Sequence, residues 1–181
     1  MNRDGSLSAP NPTLRAAAQQ EGCEVTKTLE GSCNCGRVRY KVNGDPVLTY
    51  VCHCGNCRRR SGSAFGMGLV VSTEDFEVVG ELDCWERVSD VGNKNPVYRC
   101  ATCGNVIYGL GAYTPGLAKI MPGTLSETVQ VEPDVHIWTS SAQNWVVIPR
   151  EVLQYAEQPA DFGEVIKLAA ENRSRAKATG R

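Results

Sequence analysis

"CGRVRY" at residues 35–40 and "CGNVIY" at residues 103–108 decide how this chain is read. Each opens with cysteine and glycine and runs into a strand signal. A second cysteine lies just upstream of each, Cys33 in one case and Cys100 in the other. Tetrahedral thiolate sites are built from short-spaced pairs brought together in space. Gly36 and Gly104 supply the positive φ that a turn around a metal-bound sulfur needs after its second ligand. Cys33, Cys35, Cys100 and Cys103 are therefore read as one closed four-cysteine zinc site that ties early strands to late ones.

Working outward, "RVRYKV" (37–42) alternates, with Val38, Tyr40 and Val42 on one face and Arg37, Arg39 and Lys41 on the other, the mark of a half-buried strand. "VLTYV" (47–51) follows "NGDP" (43–46), and Asn-Gly predicts a hairpin between the two. "AFGMGLVV" (64–71), "FEVV" (76–79), "DCWERV" (83–88), "NVIYGL" (105–110), "LAKIM" (117–121) and "VHIW" (135–138) continue the series, with "DVGNKNP" (90–96) as punctuation. The prediction is a mainly β domain with antiparallel pairing. Only the C-terminus reads as helix: Phe162, Val165, Ile166 and Ala169 fall at helical spacing, and Asp161 with Glu164 resembles a capping box. The expected organisation is a mobile N-terminal tail over 1–24, a zinc-binding β domain over 25–158, and a C-terminal helix with a frayed tail over 159–181.

Three further thiols crowd into "CHCGNCR" (52–58). Cys52, Cys54 and Cys57 do not close a tetrahedron by themselves. Structural zinc sites are closed, whereas catalytic ones hold three protein ligands and an open position. The split of seven cysteines into four and three thus predicts a zinc that holds the fold and a second zinc where chemistry occurs. Two other readings stand beside it: a second structural zinc completed by His53 or His136, and a disulfide within the cluster. His53 is expected to be turned away by its ligand neighbours, and His136 to be a satisfied strand histidine. Cys23 reads as inert at the edge of the tail, and Cys84 as a small buried hydrophobe.

The bulk numbers narrow the partners. The chain has 181 residues, 22% of them charged, with a formal net charge of −1. With no basic stripe and no interleaved aromatics, nucleic acid is a poor partner. No apolar run approaches the roughly 18 residues of a spanning helix, and the N-terminus has no secretory h-region. A cytoplasmic location follows, where thiols stay reduced. An odd count of nine cysteines there speaks for metal ligation over a disulfide framework. No sequence signal selects an oligomeric state.

Three stretches together, "GSCNCGRVRY" (31–40), "CHCGNCRRRSGSAF" (52–65) and "YRCATCGNVIY" (98–108), resemble the glutathione-dependent formaldehyde-activating enzyme family, also described as the centromere protein V type domain. "HIW" (136–138) followed by Trp145 resembles that family's late motif. The resemblance implies an Mss4-like fold of coiled antiparallel sheets and two zinc ions per chain. One would be structural, on Cys33, Cys35, Cys100 and Cys103. The other would be catalytic, on Cys52, Cys54 and Cys57. It also implies a carbon–sulfur lyase reaction joining glutathione and formaldehyde; the leading function read here is such a lyase, with formaldehyde or a larger carbonyl, epoxide or conjugated compound as the electrophile.

A divalent ion with three thiolates leaves formally one net negative charge, so a fourth thiolate calls for nearby cations. Arg58, Arg59 and Arg60 follow the third ligand directly. They are read here as extended chain whose neighbours alternate, so at least one faces away. Guanidinium groups suit the two carboxylates of glutathione, and Ser61 is a candidate donor to a carbonyl oxygen. The competing function is a non-enzymatic zinc module that binds a protein partner, which needs no open metal.

Overall fold

The computed structural model describes residues 28–88, 92–126 and 131–178. The segment read as a tail and Cys23 lie outside these residues. Among the described residues eleven strands and two α-helices follow one another: β1 (Thr28–Ser32), β2 (Arg39–Asn43), β3 (Leu48–Cys52), α1 (Gly55–Ser61), β4 (Gly66–Ser72), β5 (Phe76–Val79), β6 (Leu82–Val88), β7 (Lys94–Cys100), β8 (Val106–Leu110), β9 (Leu117–Ile120), β10 (Val135–Ile137), β11 (Leu153–Tyr155) and α2 (Phe162–Ala178). The fold is mainly β, with a C-terminal helix, as the strand-rich sequence predicts.

Two sheets form. One has three strands in the order β1-β2-β5, and the other has eight in the order β11-β10-β3-β4-β9-β8-β7-β6. The alternation of 37–42 is realised: Val38, Tyr40 and Val42 are buried while Arg37, Arg39 and Lys41 are exposed. They pack with Leu29 against Leu69, Val71, Ile107, Ala118 and Ile120, which fills the space between the sheets. The opposite face of the large sheet carries Leu48, Tyr50, Val70 and Val135, covered by Val165 and Ala169 of α2. Asp161 caps that helix through Oδ1, which accepts from the Gly163 and Glu164 N–H groups at 2.7 and 3.3 Å. Near the other end Arg173 donates to Asp134 Oδ2 at 2.6 Å and to the Val47 carbonyl at 3.0 Å.

Several expectations are corrected. Asn43-Gly44 does not close a hairpin: β2 pairs with β1 and β5, and β3 belongs to the other sheet. The Asn43 N–H is taken by the Asp75 carbonyl at 2.9 Å, so the turn passes the chain between sheets. Pairing is not wholly antiparallel, because β10 runs parallel to both β3 and β11. A long connection returns the chain to β3, and length frees it from hairpin geometry. Strand β7 begins inside the stretch read as punctuation, since flanking asparagines and Pro96 masked it. Cys84 is exposed, because β6 is the edge of the large sheet and its outer residues lie open.

Candidate metal centres and cleft

The turns after β1 and after β7 meet. Cys33, Cys35, Cys100 and Cys103 place their sulfur atoms within 4.8 Å of one another. Cys33 and Cys35 Sγ are 3.4 Å apart, and Cys35 and Cys100 Sγ are 3.8 Å apart. Sulfurs about 2.3 Å from a tetrahedral zinc are separated by about 3.8 Å, so the four fit such an ion. Gly36 and Gly104 both have positive φ, 73° and 72°, as the turns require. The Val38 N–H donates to Cys33 Sγ at 3.3 Å. Burial pushes the Cys33 thiol up, yet that N–H and the neighbouring sulfurs outweigh it and bring it down to about 6.

Cys52, Cys54 and Cys57 form the second cluster, again within 4.8 Å. Among the described residues no fourth His, Cys, Asp or Glu side chain joins it. Cys52 ends β3, Cys54 is the N-cap of α1, and Cys57 lies in its first turn. The cap is a sulfur: Cys54 Sγ accepts from the Cys57 N–H at 3.4 Å. Gly66 of β4 makes room, since a Cβ there would stand 3.0 Å from Cys57 Cβ. Hydrogen bonding from Cys52 holds the Cys57 thiol down at about 6 against its burial, and the Arg60 and Arg87 charges add to this. The same bond and burial push the Cys52 thiol up. All eight described cysteines are free thiols.

His53 and His136 are not ligands in this arrangement. Their rings stack with centroids 5.2 Å apart, and His53 Nε2 lies 2.9 Å from His136 Nδ1. Burial lowers both pKa values, helped by the Arg58 charge for His53 and by His53 for His136. The pair packs the cysteine loop against β10.

The arginines sit on a helix, not on extended chain. Sulfur capping at Cys54 and a left-handed C-cap at Gly62 define a seven-residue helix that carries no apolar period. Arg58 and Arg59 line a cleft of about 440 Å³ with Gly55, Ser63, Gln143 and Trp145. Arg60 is not among its walls; it lies beside the Tyr50 hydroxyl. Ser61 serves the turn: its hydroxyl donates to the Phe65 carbonyl at 2.8 Å and accepts from the Ser63 N–H at 3.2 Å. The cleft opens at the first turn of α1, next to Cys54. Its far wall follows Trp138, the one non-glycine residue with positive φ among the described residues. Sequence reasoning missed Gln143 in that wall, and missed Arg87 and Lys119 near Cys57. All three arrive from distant elements.

This is a β scaffold with two cysteine clusters fit to hold metal ions, one closed and one with three sulfurs beside a cleft. The model of the glutathione-dependent formaldehyde-activating enzyme family matches residues 28–141, and the chain belongs to that family. A Halomonas elongata protein provisionally described as a glutathione-dependent formaldehyde-activating enzyme is 26% identical over 127 residues, which are 66% of this chain and 80% of that protein. A crystal structure of a Rhodobacter sphaeroides protein aligns at 22% identity and a TM-score of 0.44, covering 56% of this chain and 90% of that one. Among the described residues no helix is long and apolar enough to cross a membrane.

Proposed function

We propose that the chain is a zinc-dependent carbon–sulfur lyase or adduct-forming enzyme that acts on glutathione, or a similar thiol, and an aldehyde. The observation that carries this is the three-sulfur cluster, with no fourth side-chain donor among the described residues, whose Cys54 adjoins Gly55 in the wall of a cleft lined by Arg58 and Arg59. Cys52, Cys54 and Cys57 would hold one zinc, and Cys33, Cys35, Cys100 and Cys103 a second, structural one. The ion held by Cys52, Cys54 and Cys57 would supply Lewis acidity that favours the thiolate form of a bound thiol.

The rest is positioning by this chain. Arg58 and Arg59 bind the carboxylates of the thiol, and guanidinium suits them better than ammonium would. Trp145, 71% exposed at the cleft mouth, offers an apolar wall to the peptide-like body. In the adduct-forming direction the thiol gives up its proton, its sulfur attacks the carbonyl carbon, and the π pair moves to oxygen, which takes a proton. No leaving group departs, so the product is the hydroxyalkyl thioether. Holding the two reactants at contact distance is the main source of acceleration. The free thiols of the eight described cysteines suit a cytoplasmic setting.

Cys54→Ser tests this reading. Zinc per chain should fall from about two to about one, as expected for loss of one ligand from a three-ligand site, and turnover of glutathione with formaldehyde should vanish. Unchanged turnover in the variant would sink the proposal.

A further inference from the structure

We infer that Arg60, Arg87 and Lys119 form an oxyanion subsite beside Cys57 that takes a carboxylate carried by the electrophilic substrate. The inference rests on the proposed reaction and names a substrate class for it: an acid-bearing aldehyde in place of formaldehyde.

Register puts Lys119 and Arg87 on one face of the large sheet. Tyr50 stands opposite Gly68, Val70 opposite Lys119, Lys119 opposite Gly109, Gly109 opposite Val97, and Val97 opposite Trp85. Partners across a ladder share a face, and so does Arg87, two residues on from Trp85. Cys52 lies two residues from Tyr50 on that face. In the strand order Lys119 stands two strands from Cys52 and Arg87 five, and what relates them to the cluster is charge: Arg60 and Arg87 act on Cys57, and Lys119 interacts with all three.

Glycine keeps the floor bare. A Cβ at Gly68 would lie 2.4 Å from the Tyr50 ring, and one at Gly111 would lie 2.4 Å from Lys119 Nζ and 3.0 Å from Thr114 Oγ1. Tyr50 and Lys119 therefore lie down along the sheet, with their polar ends over glycine. The Thr114 hydroxyl, on a residue 9% exposed, has no hydrogen-bond partner among the described residues. An orphaned buried hydroxyl next to an ammonium is a group waiting for an acceptor.

The charges point the same way. Arg60, Arg87 and Lys119 are each half-buried. The ion pairs formed among the described residues involve Lys41, Lys94, Arg99 and Arg173, and none of these three. Burial first, then Arg60 and Arg87, push the Lys119 ammonium down, and Cys57 opposes them. Like charges crowded in a partly dry place are costly without an anion. An ion with three thiolates carries formally one negative charge. Three cations reverse it to two positive, and a bound thiolate leaves one. A single carboxylate brings the site to neutrality.

Binding of glyoxylate and of neutral glycolaldehyde to the zinc-loaded chain, measured by calorimetry at constant ionic strength without thiol, tests the subsite. Glyoxylate should bind at least about tenfold more tightly than glycolaldehyde, and Arg87→Gln and Lys119→Met should each weaken it about tenfold, the worth of one charge-assisted hydrogen bond. Lys41→Gln, which removes a charge from the other sheet, should not. Equal binding of the two probes, or wild-type affinity in Arg87→Gln, overturns the inference. Arg87 lies on the edge strand, so its variant remains informative if Lys119→Met fails to fold. Glyoxylate binding without glutathione turnover would sink the thiol reading alone. Formaldehyde turnover without glyoxylate binding would sink only the subsite.

Discussion

At the scale of single residues, His136 shows how burial sets chemistry. It is 6% exposed, hydrogen-bonded to His53, and its pKa lies below the ordinary value. An unfolded histidine titrates near about 6.5. Between the folded value and about 6.5 the unfolded chain holds more protons, so stability rises with pH across that window. The contribution is complete above about 6.5 and is lost as pH falls through the folded value. His136→Gln should therefore flatten the acid side of the stability profile relative to wild type, measured by urea unfolding of the zinc-loaded chain from pH 7.5 to 5. Parallel profiles would mean that His136 titrates alike in both states. The cysteines were legible at this scale because short spacing is itself the signal. Arg87 and Lys119 were not, since each is an ordinary cation in its own strand, and only the folded chain lets charges from β6 and β9 act at Cys57.

At the scale of elements, α1 is where the sequence misled. Its seven residues hold three arginines and no buried side chain, so no apolar stripe announces it. What makes it a helix is its ends: the Cys54 sulfur accepts from the Cys57 N–H, and the Gly62 N–H bonds the Arg58 carbonyl at 2.9 Å. Gly62 sits at φ 64° and ψ 24°, and a Cβ there would meet nothing within 4 Å. Gly62→Ala should thus cost only the backbone penalty of the left-handed region, about 1 kcal/mol, read by urea unfolding. No loss at all, or a loss of several kcal/mol, would show that the helix does not end as described. The Asn43-Gly44 hairpin signal failed for a complementary reason. The chain only bends at Gly44, φ 122°, the Asp75 carbonyl takes the Asn43 N–H, and β3 pairs in the other sheet. By contrast α2 was legible, because Phe162, Val165, Ile166 and Ala169 form one stripe that meets one core.

At the scale of the whole molecule, the four-sulfur cluster joins the two sheets. Cys33 and Cys35 follow β1, in the three-stranded sheet, while Cys100 ends β7 and Cys103 precedes β8, in the eight-stranded one. Among the described residues the sheets share a core of side chains but no strand ladder, apart from an isolated bridge between Gly31 and Leu125. An ion at this cluster closes a loop of more than sixty residues, and its binding energy is folding energy. The three-sulfur cluster closes only the short loop from β3 into α1, so its ion stabilises little beyond that helix. Cys100→Ser should accordingly abolish cooperative thermal unfolding and leave the chain sensitive to chelators, while Cys54→Ser keeps a cooperative transition. Circular dichroism of both variants beside their zinc contents checks the contrast. A native-like, cooperative Cys100→Ser would mean that the apolar core between the sheets holds them together without the metal.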